Sequence, residues 1–176
     1  MKRESKLIII RGNSGSGKST TAKALQRKFG QNTLVISQDT IRRDMLWVKD
    51  GMGTKALPLL LNLAQYGKQN CDVVILEGIL DATCYRELFE ELKNEFGTNI
   101  YAYYYDLPFE ETLLRHETKP NKDEFGESDM RRWWNEKDYI GIISEKILMK
   151  EDNQIDTVEM IYSDVMSDEN KKIPIT

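Results

Sequence analysis

Short apolar runs alternate with longer amphipathic stretches along this chain. Leu7-Ile8-Ile9-Ile10, Thr33-Leu34-Val35-Ile36 and Val73-Val74-Ile75-Leu76 are followed by a fourth run over 99–105 and a shorter fifth over 146–149. Runs this brief and this rich in β-branched residues predict buried parallel strands. The intervening stretches read as helices. The first spans 18–29, with Ala22, Leu25, Gln26 and Phe29 at helical spacing and Gly30 as its stop. A second begins at 39–46, where Ser37 or Asp39 can cap it. Others cover 55–69, with Pro58 tolerated in the first turn, then 85–96, 108–116, 130–137 and 155–165. Residues 47–53 are turn-like. The polar stretch 119–129 holds Pro120 and Gly126 and predicts a mobile loop. The polar tail 167–176 is expected to fray. Strand and helix alternation predicts a three-layer α/β/α fold: a central, mostly five-stranded parallel sheet with helices on both faces. The whole chain, 1–176, reads as a single domain with a small lid at about 117–135.

One turn in this pattern carries chemistry. Gly12-Asn13-Ser14-Gly15-Ser16-Gly17-Lys18-Ser19 fits G-x-x-x-x-G-K-[ST], and it stands where a phosphate-binding loop must, between a strand and a helix. Backbone N–H groups in such a turn form an anion nest, and the following helix adds the positive end of its dipole. The backbone from Gly12 to Thr20 is therefore expected to hold a nucleotide. Lys18 would reach the β- and γ-phosphates, and the Ser19 hydroxyl would ligate Mg²⁺.

Ligands of open parallel sheets bind outside the carboxyl ends of the strands. That rule selects Ser37-Gln38-Asp39, Glu77-Gly78 and Asp106-Leu107-Pro108 beside the P-loop. Asp39 can orient or deprotonate an attacking hydroxyl, or serve only as a helix cap. Arg42, one turn later, can fix that carboxylate, bind an anionic acceptor or lie idle on the surface. Glu77 can hold Mg²⁺ through water or the Ser19 hydroxyl, or cap the edge of the core. Arg115, Lys119, Arg131 and Arg132 bracket the polar loop, and at least one is expected to reach phosphate from a closing lid. The single histidine, His116, reads as structural. Trp133-Trp134 and the tyrosines at 101 and 103–105 read as core or edge packing.

Composition trims these readings. The chain has 176 residues, 40% hydrophobic and 31% charged, with a formal net charge of -4. That balance disfavours long duplex nucleic acid as a partner. Cys71 and Cys84 form no disulfide or zinc pattern and read as buried or incidental thiols. No apolar run approaches a membrane span, and the first strand begins too early to leave room for a signal peptide. A reducing cytoplasm is the expected setting.

Together, Gly12 to Thr20, Gln38-Asp39-Thr40-Ile41-Arg42, Val73 to Gly78, and Tyr105-Asp106-Leu107-Pro108 with Glu111, Leu114 and Arg115 resemble the small P-loop kinases related to phage polynucleotide kinase. That group includes chloramphenicol phosphotransferase and the zeta-type toxin kinases. The resemblance covers roughly residues 6–165. It implies a P-loop NTPase, kinase-like fold and an ATP-dependent kinase acting on a hydroxyl. The acceptor would be a small molecule or nucleoside-like compound; a polynucleotide 5′-hydroxyl and a nucleotide-dependent ATPase or switch without acceptor are the alternatives. It implies that Lys18 and Ser19 serve ATP and Mg²⁺, that Asp39 is the base, and that Arg42 contacts the acceptor or its phosphate. Glu77 stands where such kinases carry an acidic residue behind the metal or acceptor. Arg115 would lie near the adenine or phosphates. Lys119 stands where an arginine is typical, so Arg131 or Arg132 would act from the far side of the lid.

Overall fold

The computed structural model describes residues 4–118 and 122–171, with side chains described as far as residue 167. The expectations placed on Lys119 and Pro120, on the first three residues and on 172–176 lie outside them. Five strands form one parallel sheet: β1 (Lys6–Gly12), β2 (Thr33–Ser37), β3 (Val73–Gly78), β4 (Ile100–Tyr105) and β5 (Glu145–Leu148), in the order β2-β3-β1-β4-β5. Among the described residues six α-helices accompany them: α1 (Lys18–Phe29), α2 (Ala56–Asn70), α3 (Arg86–Phe96), α4 (Phe109–Glu117), α5 (Glu127–Arg132) and α6 (Gln154–Lys171).

The alternation of side chains along β1 and β3 divides the core. Leu7, Ile9, Val74 and Leu76 pack with Leu60 and Ala64 of α2 and with Leu88, Phe89 and Leu92 of α3. Ile8, Ile10, Val73 and Ile75 face the other way, against Ala22 and Leu25 of α1 and Val158, Ile161 and Val165 of α6. Both faces of the sheet are covered, which is why these strands read as unbroken apolar runs. From β1 the chain passes beyond β3 to the far edge, then returns across β1 to reach β4. Strand order therefore reverses beside β1, and the crevice at that reversal is where such folds place ligands.

Three boundaries differ from the sequence reading. The short helix expected at 130–137 begins earlier, at Glu127, because Asp129 accepts a hydrogen bond from the Gly126 amide at 3.3 Å and closes its first turn. The tail expected to fray from 167 stays helical to Lys171. The helix expected at 39–46 is a π-helical turn at Thr40–Met45, with the Leu46 amide donating to the Ile41 carbonyl five residues back at 3.0 Å.

β1 ends in a charge that no helix or strand pattern announces. Arg11 is fully buried. Its guanidinium donates to the Leu80 carbonyl, to Asp138 at 2.7 Å and to Glu145 at 2.8 Å, and stacks between Phe89 and Tyr104. Burial pushes the Asp138 carboxyl above its ordinary range, while the Ala82 amide and the Arg11 charge pull it back. Arg11 thereby ties the chain after β3 to the base of β5. Removing one partner of a buried pair strands the other charges, at a cost of about 3–5 kcal/mol. Arg11→Leu is expected to lower the melting temperature by about 10 °C in a calorimetric scan; a shift under about 3 °C would show that the ion pairs are dispensable.

Candidate active site

The loop after β1 is shaped by close approach. Gly15 has φ +83°, and a Cβ there would run into the Thr112 carbonyl of α4 and come within 3.1 Å of the Met130 methyl. A Cβ on Gly12 would stand 2.8 Å from that of Tyr105. Both positions need glycine so that the loop can pass under α4 and beside β4. Gly15→Ala is expected to displace the loop and weaken ATP binding at least about tenfold by calorimetry.

Within the loop Lys18 is buried, its ammonium donating to the Asn13 carbonyl at 2.9 Å and to Ser16 Oγ at 3.3 Å. Asn13 plays a part the motif does not reveal. Its side chain donates to the Asn135 carbonyl at 2.7 Å and accepts from the Asn135 amide at 2.9 Å. It joins the P-loop to the segment after α5. Arg115 on α4 donates to the Ser16 carbonyl at 3.0 Å and is held by Glu111 at 2.7 Å. With Gly15, Gly17, Thr20, Thr21 and residues 150–154 it lines a cleft on the α6 side of the loop.

Ser19 and Glu77 meet. The Ser19 hydroxyl donates to a Glu77 carboxylate oxygen at 3.1 Å, and Glu77 is buried at the end of β3. A hydroxyl and a carboxylate side by side at the mouth of an anion nest suit Mg²⁺, which takes one or two protein oxygens and fills its octahedron with phosphate and water. Among the described residues no group of three or more His, Cys, Asp or Glu could hold a metal by itself.

Across from the loop lies Asp39, lining with Lys18, Ser19, Arg42 and Glu77 one cavity of about 530 Å³. The π-turn brings two guanidiniums onto a single oxygen of Asp39: Arg42 at 3.0 Å and Arg43 at 3.3 Å. No side-chain capping hydrogen bond comes from Asp39 to the turn, so its carboxylate remains directed at cations and at the cavity. Arg42 is itself positioned from behind. Asp50 lies 4.0 Å from its Nε and accepts hydrogen bonds from Tyr85 at 2.6 Å and Gln38 at 3.0 Å. Gln38, fully buried, also donates to the Tyr85 oxygen and accepts from the amides of Ile79 and Leu80. Burial, then the bond to Asp50, pushes the Tyr85 hydroxyl far above its ordinary pKa, so it stays a donor. Cys84, also on the cavity wall, is pushed up to about 11 by burial and by the Asp81 carboxylate.

The remaining basic residues divide. Arg43 lies over the rings of Phe125 and Trp133, at 5.9 Å and 5.8 Å, and all three line the cavity. Trp133, expected to be packing, is thus part of the wall. Trp134 does pack, edge-on against Phe109. Arg131 lines neither the cavity nor the cleft: it stacks on Phe109 at 4.2 Å and pairs with Glu127 at 2.8 Å. Arg132 pairs with Asp129 at 2.8 Å and is largely exposed. The phosphate contact expected of Arg131 has no support in this arrangement, because its local i,i+4 partner and an aromatic face hold it elsewhere. His116 is buried, stacked on Phe125 and bonded to that residue's carbonyl, in keeping with a structural role.

The sequence of residues 7–138 matches the family described as an AAA domain. No curated protein matches the chain. Among solved structures, a gluconokinase from Sinorhizobium meliloti 1021 superposes with a TM-score of 0.65 at 14% identity, over 97% of each chain. The Mycobacterium tuberculosis APS kinase in complex with AMPPNP and APS gives 0.65 at 18%, covering 94% of this chain and 99% of that one. Shikimate kinase from Acinetobacter baumannii in complex with shikimate gives 0.57 at 18%, covering 94% and 95%. At such identities the likeness establishes the fold, that of the P-loop kinases. No helix among the described residues is long and apolar enough to cross a membrane. By its match over most of its length, the chain belongs to the AAA domain family.

Proposed function

We propose that the protein is an ATP-dependent kinase that transfers the γ-phosphoryl group to a hydroxyl of a small or nucleoside-like acceptor. The observation that carries this reading is the single cavity shared by Lys18, Ser19 and Asp39. A nucleotide switch has less need of a carboxylate facing its phosphates from the end of the second strand, β2; a transferase needs one to receive the acceptor's proton. The solved structures with this fold include kinases of gluconate, APS and shikimate, and the resemblance to the phage polynucleotide kinase group, finer than the family itself, points the same way.

In this reading the backbone from Gly12 to Thr20 cradles the phosphates and Arg115 lies beside the base or its neighbouring phosphates. Ser19 and Glu77 would hold Mg²⁺, which would supply positive charge against the phosphates. Asp39 accepts the acceptor's hydroxyl proton as the new oxygen–phosphorus bond forms and the bond to the β-phosphate oxygen breaks, releasing ADP. Lys18 follows the charge that builds on the transferred group. Arg42, braced by Asp50, holds Asp39 and the acceptor. Arg43 joins Asp39 to Phe125 and Trp133, so closure of a lid over 117–135 would be felt at the base. The cell interior, where ATP is made, is the natural setting.

ATP consumption with and without a panel of sugars, nucleosides and hydroxy acids tests the reading. At least one compound is expected to raise turnover about tenfold or more above the rate in its absence. Turnover indifferent to all of them, and equal in Asp39→Asn, would exclude a kinase.

A further inference from the structure

The acceptor cavity does not end at Asp39. A second groove of about 390 Å³ opens beside it, lined by Arg42, Arg43, Trp47, Val48 and Lys49. Arg42, Arg43 and Lys49 line the cavity as well, so the two spaces meet at three cations. No carboxylate lines the groove. The two arginines already share Asp39, whereas the Lys49 ammonium has no partner among the described residues. At the outer end stands Trp47, 90% exposed and held at φ 51°. A bulky residue in the left-handed region is a genuine outlier, and here the backbone spends it on presenting an indole to solvent.

We infer that this groove extends the acceptor site and takes an anionic, ring-bearing alcohol: a nucleotide-like small molecule whose hydroxyl meets Asp39, whose anionic group meets Lys49 and the arginines, and whose flat ring stacks on Trp47. The inference rests on the kinase reading above. The chemistry selects each part. Lys49, with no carboxylate of its own, beside two arginines that share the one carboxylate of Asp39, leaves an excess of positive charge that calls for an anion. An open indole face offers stacking to any planar ring, and guanidinium planes beside it extend the same surface. A neutral polyol would leave both features unused. Met45, Leu46 and Met52 are exposed nearby, so a second copy of the chain is the competing occupant.

Three probes separate the parts: uridine carries the ring alone, glycerol 3-phosphate the anion alone, and uridine 3′-monophosphate both. Their dissociation constants are measured by calorimetry at fixed ionic strength, with a nonhydrolysable ATP analogue bound. The doubly equipped probe is expected to bind about tenfold or more tightly than either of the others. Trp47→Ala should cost about tenfold for the two ring probes and leave glycerol 3-phosphate unaffected. Lys49→Gln should cost about fivefold or more for the two phosphates and leave uridine unaffected. Trp47 is on the surface, so its removal should not change the melting temperature. Equal affinity for all three probes, or variants that shift all three alike, would overturn the proposal. So would sedimentation showing that Trp47→Ala dissociates a dimer while probe affinities hold. If the affinities follow the expected pattern but no label passes from ATP to any probe, the groove stands and the kinase reading falls.

Discussion

Asp39→Asn is expected to lower kcat for phosphoryl transfer by about 10²–10⁴-fold, the usual contribution of a positioned general base, with little change in the affinity for ATP. Asparagine keeps the shape of the side chain and one oxygen for Arg42 and Arg43, but it cannot carry away the hydroxyl proton. The residue lies across the cavity from Lys18 and Ser19 rather than within the nucleotide loop, so the donor side should remain intact. Steady-state rates together with calorimetric titration of ATP check both halves. A rate within about fivefold of the parent would demote Asp39 to a pairing residue for the π-turn.

Lys18→Ala is expected to lower the rate of ATP turnover by about 10²–10³-fold. The ammonium is buried and points into the loop, donating to the Asn13 carbonyl and Ser16. Among the described residues no other lysine or arginine lines the cavity from the P-loop side. The melting temperature, measured beside the rate, separates a role at the phosphates from one in folding. Loss of turnover with an unchanged melting curve assigns the effect to chemistry and phosphate binding. Loss of both would make Lys18 a folding residue instead.

What the sequence disclosed and what it hid divide along contact distance. β1, the P-loop and α1 are local: an apolar run, glycines at fixed spacing and a helical period, all within 25 residues. Asp39 and Glu77 were found because strand ends in a parallel sheet converge whatever lies between them. Arg11 could not be read in the same way. Its partners Asp138 and Glu145 stand 127 and 134 positions away, and nothing in an apolar run announces a buried cation at its end. The Asn13–Asn135 pair spans 122 positions and is silent for the same reason. Asp50 lies in a stretch legible only as a turn, so the brace from Gln38 and Tyr85 to Arg42 had no local sign.

Two signals were present but easily misweighted. Glu127 and Arg131 have the i,i+4 spacing of a solvated helix pair, and in that pair Arg131 lies outside the cavity lining. Arg43 stands four residues after Asp39 and Arg42 three, the two spacings that face one side chain on a helical turn, so both reach the same carboxylate. A π-turn is a tertiary outcome rather than a propensity, and such turns gather at functional sites.

The central claim is that the cavity between the P-loop and Asp39 joins ATP to an acceptor rather than to water. Its most direct test is the fate of a labelled γ-phosphoryl group in a single turnover with the best acceptor of the panel. The account predicts that most of the label leaves as phosphorylated acceptor, and that Asp39→Asn slows this product while nucleotide stays bound. Label released only as inorganic phosphate, at a rate that neither acceptor nor Asp39→Asn alters, would contradict it.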